Sequence, residues 1–301
     1  MDRIIVPSNL EAFKTLVLGK VRTYCRTGIW PWHFDTFAAW LSNFESGEDE
    51  YIALQLIDSL IVRSESMAIA AFAKLLSTDL LQYLITQRIV PPEINIKSWR
   101  KQLKDGRCEN IQFLPIRLNG DEGESGGAIF RQLSTLINTN RLSRDRENIH
   151  AIILIDDFLG SGSQLNEFIA SAPPRITGCT TLIYCPLMAT TYGLSNTLRD
   201  QPNIKVIPTE VISDEQSLFH SNSESDFFKD DRENKVSAVK AHYENMKTRY
   251  ASKGMSFWSG RDNKYLPIAF EWGCPNQTPS IFWMEHTPIH SDWQQLFYRR
   301  A

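Results

Sequence analysis

The stretch IILIDDFLGSGSQ, Ile152 to Gln164, decides the reading of this 301-residue chain. Ala151 to Ile155 is an unbroken apolar run rich in β-branched residues, the pattern of a parallel strand covered on both faces. Two carboxylates, Asp156 and Asp157, close the run, and the chain turns through Gly160, Ser161, Gly162 and Ser163 before Leu165 to Ile169 opens a helix. Small residues at such a turn let backbone N–H groups converge on an anion at the positive end of the helix. The dipole contributes only about 0.3 to 1 kcal/mol per anion contact, so several N–H groups and the hydroxyls of Ser161 and Ser163 must share the charge. The upstream carboxylates repel a phosphate but suit the vicinal hydroxyls of a ribose or a water-shelled Mg²⁺. The order of groups predicts a ligand that carries both sugar and phosphate.

Three other readings compete. A strand ending in Asp-Asp also fits a P-loop NTPase, but the chain has no GxxxxGK[ST]; Gly19-Lys20 is followed by Val21 and lacks the upstream glycine. A dinucleotide fold needs GxGxxG, and Gly160-x-Gly162 meets Leu165 where the third glycine belongs. The plain alternative is a strand, turn and helix with solvated aspartates, against which the full order of groups weighs.

The neighbouring sequence repeats the architecture. Ile111 to Ile116 is a short apolar strand, followed by Arg117, a turn with Gly120 and Gly123, and a helix that Ser125 is placed to cap. Cys179 to Leu187 reads as a strand, Tyr192 to Leu198 as a helix and Ile204 to Ile207 as a further strand. This βαβαβ order predicts an α/β fold with a mostly parallel, doubly wound sheet.

At this point the residues resemble a family. Strand, Asp-Asp, two apolar residues and Gly-Ser-Gly-Ser look like the motif by which type I phosphoribosyltransferases bind 5-phosphoribosyl-1-pyrophosphate (PRPP), with Ser161 in place of the usual Thr. The resemblance implies that Asp156 and Asp157 hold the ribose hydroxyls and a Mg²⁺ ion through water, and that Gly160, Ser161, Gly162, Ser163 and Gln164 surround the 5′-phosphate. It implies catalytic roles for Asp156, Asp157 and Arg117, with Arg117 on the pyrophosphate loop and Arg131 as a second, more distant cation. Gln164 departs from the Thr usual in the family, removing one hydroxyl. A second departure is length: Arg117 and Asp156 lie 39 positions apart. After the helix there remains only the polar Thr139 to His150, with Arg141, Arg144 and Arg146, too short for two strands and the mobile lid usual there.

The ends of the chain narrow the resemblance. WPWHFDTFAAWLSNF (Trp30 to Phe44), EQSLF (Glu215 to Phe219) and FEWGCPNQTPSIFW (Phe270 to Trp283) with a following LFYR are similar to phosphoribosyltransferase-like proteins of prokaryotic conflict loci, including phage-defence and retron-type operons. Pro275, Asn276, Thr278, Trp283, Leu296, Phe297 and Arg299 carry the terminal match; Gly273, Cys274 and Ser280 depart from it. The resemblance implies an anti-phage effector that transfers or cleaves a phosphoribosyl or nucleotide group with Mg²⁺. Its alternative is a degenerate module that senses PRPP or a nucleotide and regulates a partner from the same operon, such as a reverse transcriptase or a DNA-binding protein.

Composition sets bounds. A 42% hydrophobic chain of this length can bury one large core or a core with flanking subdomains. No signal peptide and no apolar run of 18 residues stand out, so a cytoplasmic protein without membrane contact is expected. Five cysteines without CxxC suit a reducing compartment, and with six histidines but no HExxH no zinc site is expected. The net charge of −3 argues against nucleic-acid binding; Arg88 to Arg107, locally basic, reads as a solvated loop.

Three regions are expected: helical 1–90, an α/β core over 91–212, and a C-terminal extension over 213–301. Within the first, a Ser8/Glu11 capping box starts a helix, and further helices cover Phe34 to Phe44, Glu50 to Ile61 and Ser66 to about Gln87, the last ended by Pro91-Pro92. Trp30, Trp32 and Trp40 read as core. In the third, Ser213 to Glu233 is a polar loop and Val236 to Tyr250 a helix.

Overall fold

The computed structural model describes residues 4–117, 125–220, 231, 233–251, 255–285 and 292–299. In chain order the principal elements are α1 (Leu10–Arg26), α2 (Phe34–Leu41), α3 (Gly47–Asp58), β1 (Ile61–Arg63), α4 (Glu65–Ser77), α5 (Asp79–Thr86), α6 (Ile96–Asp105), β2 (Ile111–Pro115), α7 (Ser125–Gln132) and α8 (Thr139–Leu142). They continue with β3 (Ala151–Leu159), α9 (Ser163–Ser171), α10 (Pro174–Thr177), β4 (Thr181–Thr190), α11 (Thr191–Asp200), β5 (Ile204–Val206), β6 (Glu210–Ile212), α12 (Val236–Tyr250) and β7 (Ile268–Phe270). The chain forms two compact units, one of residues 65–213, the other of 1–64 with 214–299. The boundary expected at residue 90 falls at 64, and the two terminal segments, expected as separate regions, share one core.

In the first unit the parallel α/β expectation holds. The sheet runs β2-β3-β4-β5, every pair parallel, and β6 also pairs with β4, beyond β5. Pro186 and Pro208 explain the break between β5 and β6. A proline has no N–H to give a ladder, and across this gap the bonds are Ile207 N–H to Tyr184 O and Thr209 N–H to Pro186 O. β3 and β4 outrun β2 and β5 at their C-terminal ends, and every residue of both is buried. Ile152, Leu154, Leu165 and Leu182 share one core cluster that fixes α9 against the sheet.

The helices of this unit differ from expectation at two places. The helix expected from Ser66 to Gln87 is two, broken at Thr78 (φ −121°, ψ −90°), where the hydroxyls of Ser77 and Thr78 turn back to Ala73 O and Lys74 O. Taken as one stretch, Glu65–Thr86 is long and apolar enough to cross a membrane; here Phe72, Leu75, Leu80 and Leu84 face the core. The basic segment expected as a loop contains α6. Asn95 caps it by accepting from Ser98 N–H at 2.9 Å, Gly106 ends it in the left-handed region (φ 68°), and Trp99 and Leu103 are buried.

The second unit packs α1, α2, α3 and α12 around an aromatic core. The Trp30 and Trp40 rings are buried; Trp30 stacks on Phe37 and Trp40 on Phe282. The capping box does not form: Asn9 occupies the N-cap without a side-chain bond, and Leu10 N–H turns to Pro7 O. α2 ends at Leu41, and α3 begins at Gly47 because Ser46 accepts from Asp49 N–H at 3.1 Å. Ile61, expected in that helix, starts β1, which pairs in parallel with β7. Asp49, 2% exposed, joins α3 to α12 by accepting from His242 Nε2 at 2.7 Å, Arg249 Nη2 at 2.5 Å and Tyr250 Oη at 2.8 Å. Of the expected loop over 213–233, Asp214–Gln216 is a 3₁₀ turn and Leu218 and Phe219 are buried; residues 221–230 and 232 lie outside the described residues.

Candidate phosphate and ribose site

The turn after β3 is shaped from behind by α11. Thr190 Oγ1 donates to Gly160 O at 2.6 Å while accepting from Gly193 N–H at 2.8 Å, and Asn196 Nδ2 donates to Ser161 O at 3.0 Å. With no cis peptide among the described residues, N–H and C=O of each peptide unit point in opposite directions. Tying back these two carbonyls therefore turns the N–H groups of Ser161 and Gly162 outwards. The first four N–H groups of α9 lack intrahelical partners by construction; the helical bonding begins with Asn166 N–H to Gly162 O at 3.0 Å.

Gly162 (φ 90°) occupies a conformation that L side chains rarely adopt, and Thr197 Oγ1 would lie 3.2 Å from a Cβ there. Ser161 and Ser163 place their hydroxyls 2.9 Å apart. Gly160 to Gln164 thus form a donor-rich turn at a helix N-terminus. α11 approaches this closely only because residue 193 is glycine: a Cβ there would lie 2.5 Å from Gly160 O and 2.9 Å from Leu159 O. The roles of Thr190, Gly193 and Asn196 were missed from sequence; the small residues beginning α11 were the available signal.

The carboxylates are placed differently from the sequence expectation. β3, expected to end in the two carboxylates, runs two residues beyond them to Leu159. Successive strand residues face opposite sides of a sheet, so the two carboxylates diverge rather than stand side by side. Asp156 is 1% exposed; its Oδ2 accepts from Tyr184 Oη at 2.8 Å and its Oδ1 from Asp157 N–H at 3.0 Å. Burial, the Asp156 charge and this hydrogen bond all hold the Tyr184 hydroxyl well above its ordinary range, so it remains the donor. The β3–β4 register passes from Asp156↔Pro186 to Phe158↔Met188. Pro186 lacks an N–H, and beside it the Asp157 N–H turns to the Asp156 side chain.

Arg117 and Asp156 both border the first turn of α7. A Cβ on Gly126 would lie 3.2 Å from Asp156 Oδ1 and 2.4 Å from Ile116 O; one on Gly127 would lie 2.7 Å from Arg117 Nη2. Two consecutive glycines thus let one carboxylate and one guanidinium approach the same helix start. Arg117 is exposed, and Arg131 sits one turn further along α7. Gly120 and Gly123 lie outside the described residues, and α7 begins at Ser125 itself.

The segment in the place of a lid is fastened elsewhere. Gln112 Nε2 donates to Ser143 O, Arg144 O and Asp145 Oδ1, and Arg146 bonds Cys108 O and Ile111 O. These anchors lie towards the start of β2, away from Arg117 at its other end. Among the described residues no strand intervenes between β2 and β3, and no group of three His, Cys, Asp or Glu side chains is placed to hold a metal ion. A Mg²⁺ ion is usually held by one or two carboxylates together with ligand phosphates rather than by an all-protein cage.

Parallel sheet, acidic strand and donor-lined helix start together define a phosphoribosyltransferase-like α/β protein. The PRTase-CE family model matches residues 37–299, and the chain belongs to that family. The structure of the AQ2163 protein from Aquifex aeolicus is similar over 51% of this chain and 88% of its own, at 12% identity and a TM-score of 0.26. No curated protein matches. The residues of the terminal resemblance serve the fold. Thr278 Oγ1 donates to Ile268 O at 2.6 Å, Trp283 Nε1 to Thr278 O at 3.0 Å, and Arg299 to Asn276 Oδ1 at 2.7 Å while lying over the Trp283 ring.

Proposed function

We propose that the α/β unit binds PRPP or a nucleotide, its 5′-phosphate against Gly160 to Gln164 and its ribose towards Asp156 and Asp157, with Arg117 meeting the further phosphates. One observation carries this reading: α11 ties back Gly160 O and Ser161 O, turning two peptide N–H groups outwards at the start of α9. In this reading the protein is an anti-phage effector that transfers or cleaves a phosphoribosyl or nucleotide group with Mg²⁺, the role implied by its resemblance to conflict-locus proteins. A second reading, a sensor that binds without turnover and regulates a partner protein, is favoured by the fastening of Ser143 to Arg146 near the start of β2. Closing loops exclude water and complete a site's electrostatics.

Ser163→Asp tests binding. Aspartate in the first turn of a helix is favourable to the helix dipole by about 0.3 to 1 kcal/mol, so the variant should fold at least as well as wild type. It sets a negative charge where the phosphate belongs, and calorimetric affinity for PRPP with Mg²⁺ should fall at least about tenfold, about 1.4 kcal/mol. Equal affinity would sink the site assignment. Product analysis on the wild type then separates the readings: consumed ligand supports the enzyme, and bound but unchanged ligand supports the sensor.

A further inference from the structure

A second place on the chain has the chemistry of an anion site, in the unit built from the terminal segments. Asp214, His220, Lys240, Asn263, Lys264 and Tyr265 border a surface cavity of about 230 Å³. Its charge is unbalanced, two ammonium groups against one carboxylate. Lys264 pairs with Asp214 at 3.4 Å, whereas the Lys240 ammonium lies 4.6 Å from the Tyr265 ring centroid, with no carboxylate in ion-pair range among the described residues. His220 also lines the cavity, its Nδ1 turned into the protein, where it meets no hydrogen-bond partner among the described residues.

The wall of this cavity is held in a costly shape. Of its lining residues Asn263 and Tyr265 take positive φ (54° and 50°) although neither is glycine, as does Asp262 just before them (58°). The backbone N–H groups of Asn263, Lys264 and Tyr265 are spent on Gly260 O, Arg261 O and Ser259 O, so they do not serve a ligand. Tyr265 O accepts from Leu218 N–H at 3.0 Å, which ties the wall to the segment bearing His220. Strained residues persist where the surroundings hold them, and they concentrate at ligand clamps.

We infer that this cavity binds the phosphoryl group of a small phosphomonoester or inorganic phosphate. A phosphomonoester carries about −1.5 to −2 charges at neutral pH and three strong acceptor oxygens. Those oxygens match the donors of Lys240, Lys264 and Asn263, with the His220 ring in the wall beside them. The volume lies below the roughly 300–1,000 Å³ of pockets for drug-sized ligands, which suits a phosphoryl group on a short carbon skeleton. The inference is independent of the reading of Gly160 to Gln164.

The test uses the full chain carrying Ser163→Asp, so that the first site is closed, titrated with inorganic phosphate and with glycerol 3-phosphate. One equivalent should bind, the His220 imidazole NMR signals, assigned with His220→Gln, should shift on titration, and Lys240→Met should weaken binding at least tenfold. Tighter glycerol 3-phosphate than phosphate points to the ester, and the reverse to the free ion. No binding, unmoved His220 signals, or an affinity indifferent to Lys240→Met overturns the inference. If Lys240→Met does not fold, Lys264→Met must weaken binding in its place. Binding here with none of PRPP to the wild-type cradle would refute the proposed function and leave this inference standing.

Discussion

Tyr184 and Asp156 sit 28 positions apart, and only a registered β3–β4 pair brings the hydroxyl to 2.8 Å from the carboxylate. Taking a donor from a buried carboxylate costs about 1–3 kcal/mol, so Tyr184→Phe should lower stability by that amount in urea unfolding. In an Asp156→Asn background the loss should shrink, because a neutral amide asks less of its neighbours. Equal losses in the two backgrounds would show that the hydroxyl does nothing for the carboxylate. The Asp-Asp pair was legible as a motif, since an apolar run, two acids and a Gly/Ser turn stand in fixed order. That the strand continues beyond the acids was not legible: aspartate is depleted in strands, and Tyr184 and the close approach of Gly126 at the start of α7 accommodate Asp156 inside it.

At the scale of elements, the candidate site is the meeting of three helix starts with one strand end. α9 offers its N–H groups, the first turn of α7 borders both Arg117 and Asp156, and α11 sets the peptide planes of the turn. Gly193→Ala tests the last of these. Its Cβ would lie 2.5 Å from Gly160 O, so α11 must retreat, stretching the Thr190 and Asn196 bonds. Overpacking of this kind costs about 1–3 kcal/mol, and PRPP affinity should fall together with stability. Ser195→Ala, on the exposed side of the same helix, should change neither; matching effects in the two variants would remove the argument from close packing. Helices with an apolar period were readable, as in α12, α9 and α11. Breaks and caps were less so, because Thr78 and Ser46 act through local hydroxyl bonds that compete with the helix. α6 was hidden by its charge: Lys97, Arg100, Lys101 and Lys104 surround only two buried residues, Trp99 and Leu103.

At the scale of the whole chain, the pairing of Ile61–Arg63 with Ile268–Phe270 crosses about two hundred residues, and neither strand carries a local signal of its partner. For that reason the sequence suggested three successive regions where the chain makes two units. Both units bury groups that ionise only at alkaline pH, which yields a test of the molecule as a whole. Burial raises the Cys108 thiol from an ordinary 9.0 to about 12, against a small opposing effect of Arg146. Burial likewise raises Cys185 and Cys274, and the hydroxyls of Tyr184 and Tyr243. Each group is neutral when protonated and has a folded pKa above its unfolded one. Its contribution to stability is therefore complete below the unfolded value and is lost as pH climbs towards the folded one. The unfolding free energy should be level with respect to these groups up to about pH 8 and fall above pH 9, by up to about 1.4 kcal/mol per pH unit for each group. Urea midpoints measured from pH 7 to 11 check this, with Cys108→Ala and Cys185→Ala each expected to flatten the fall. A midpoint constant to pH 11 would mean that these thiols and hydroxyls reach solvent as readily in the folded chain as in the unfolded one.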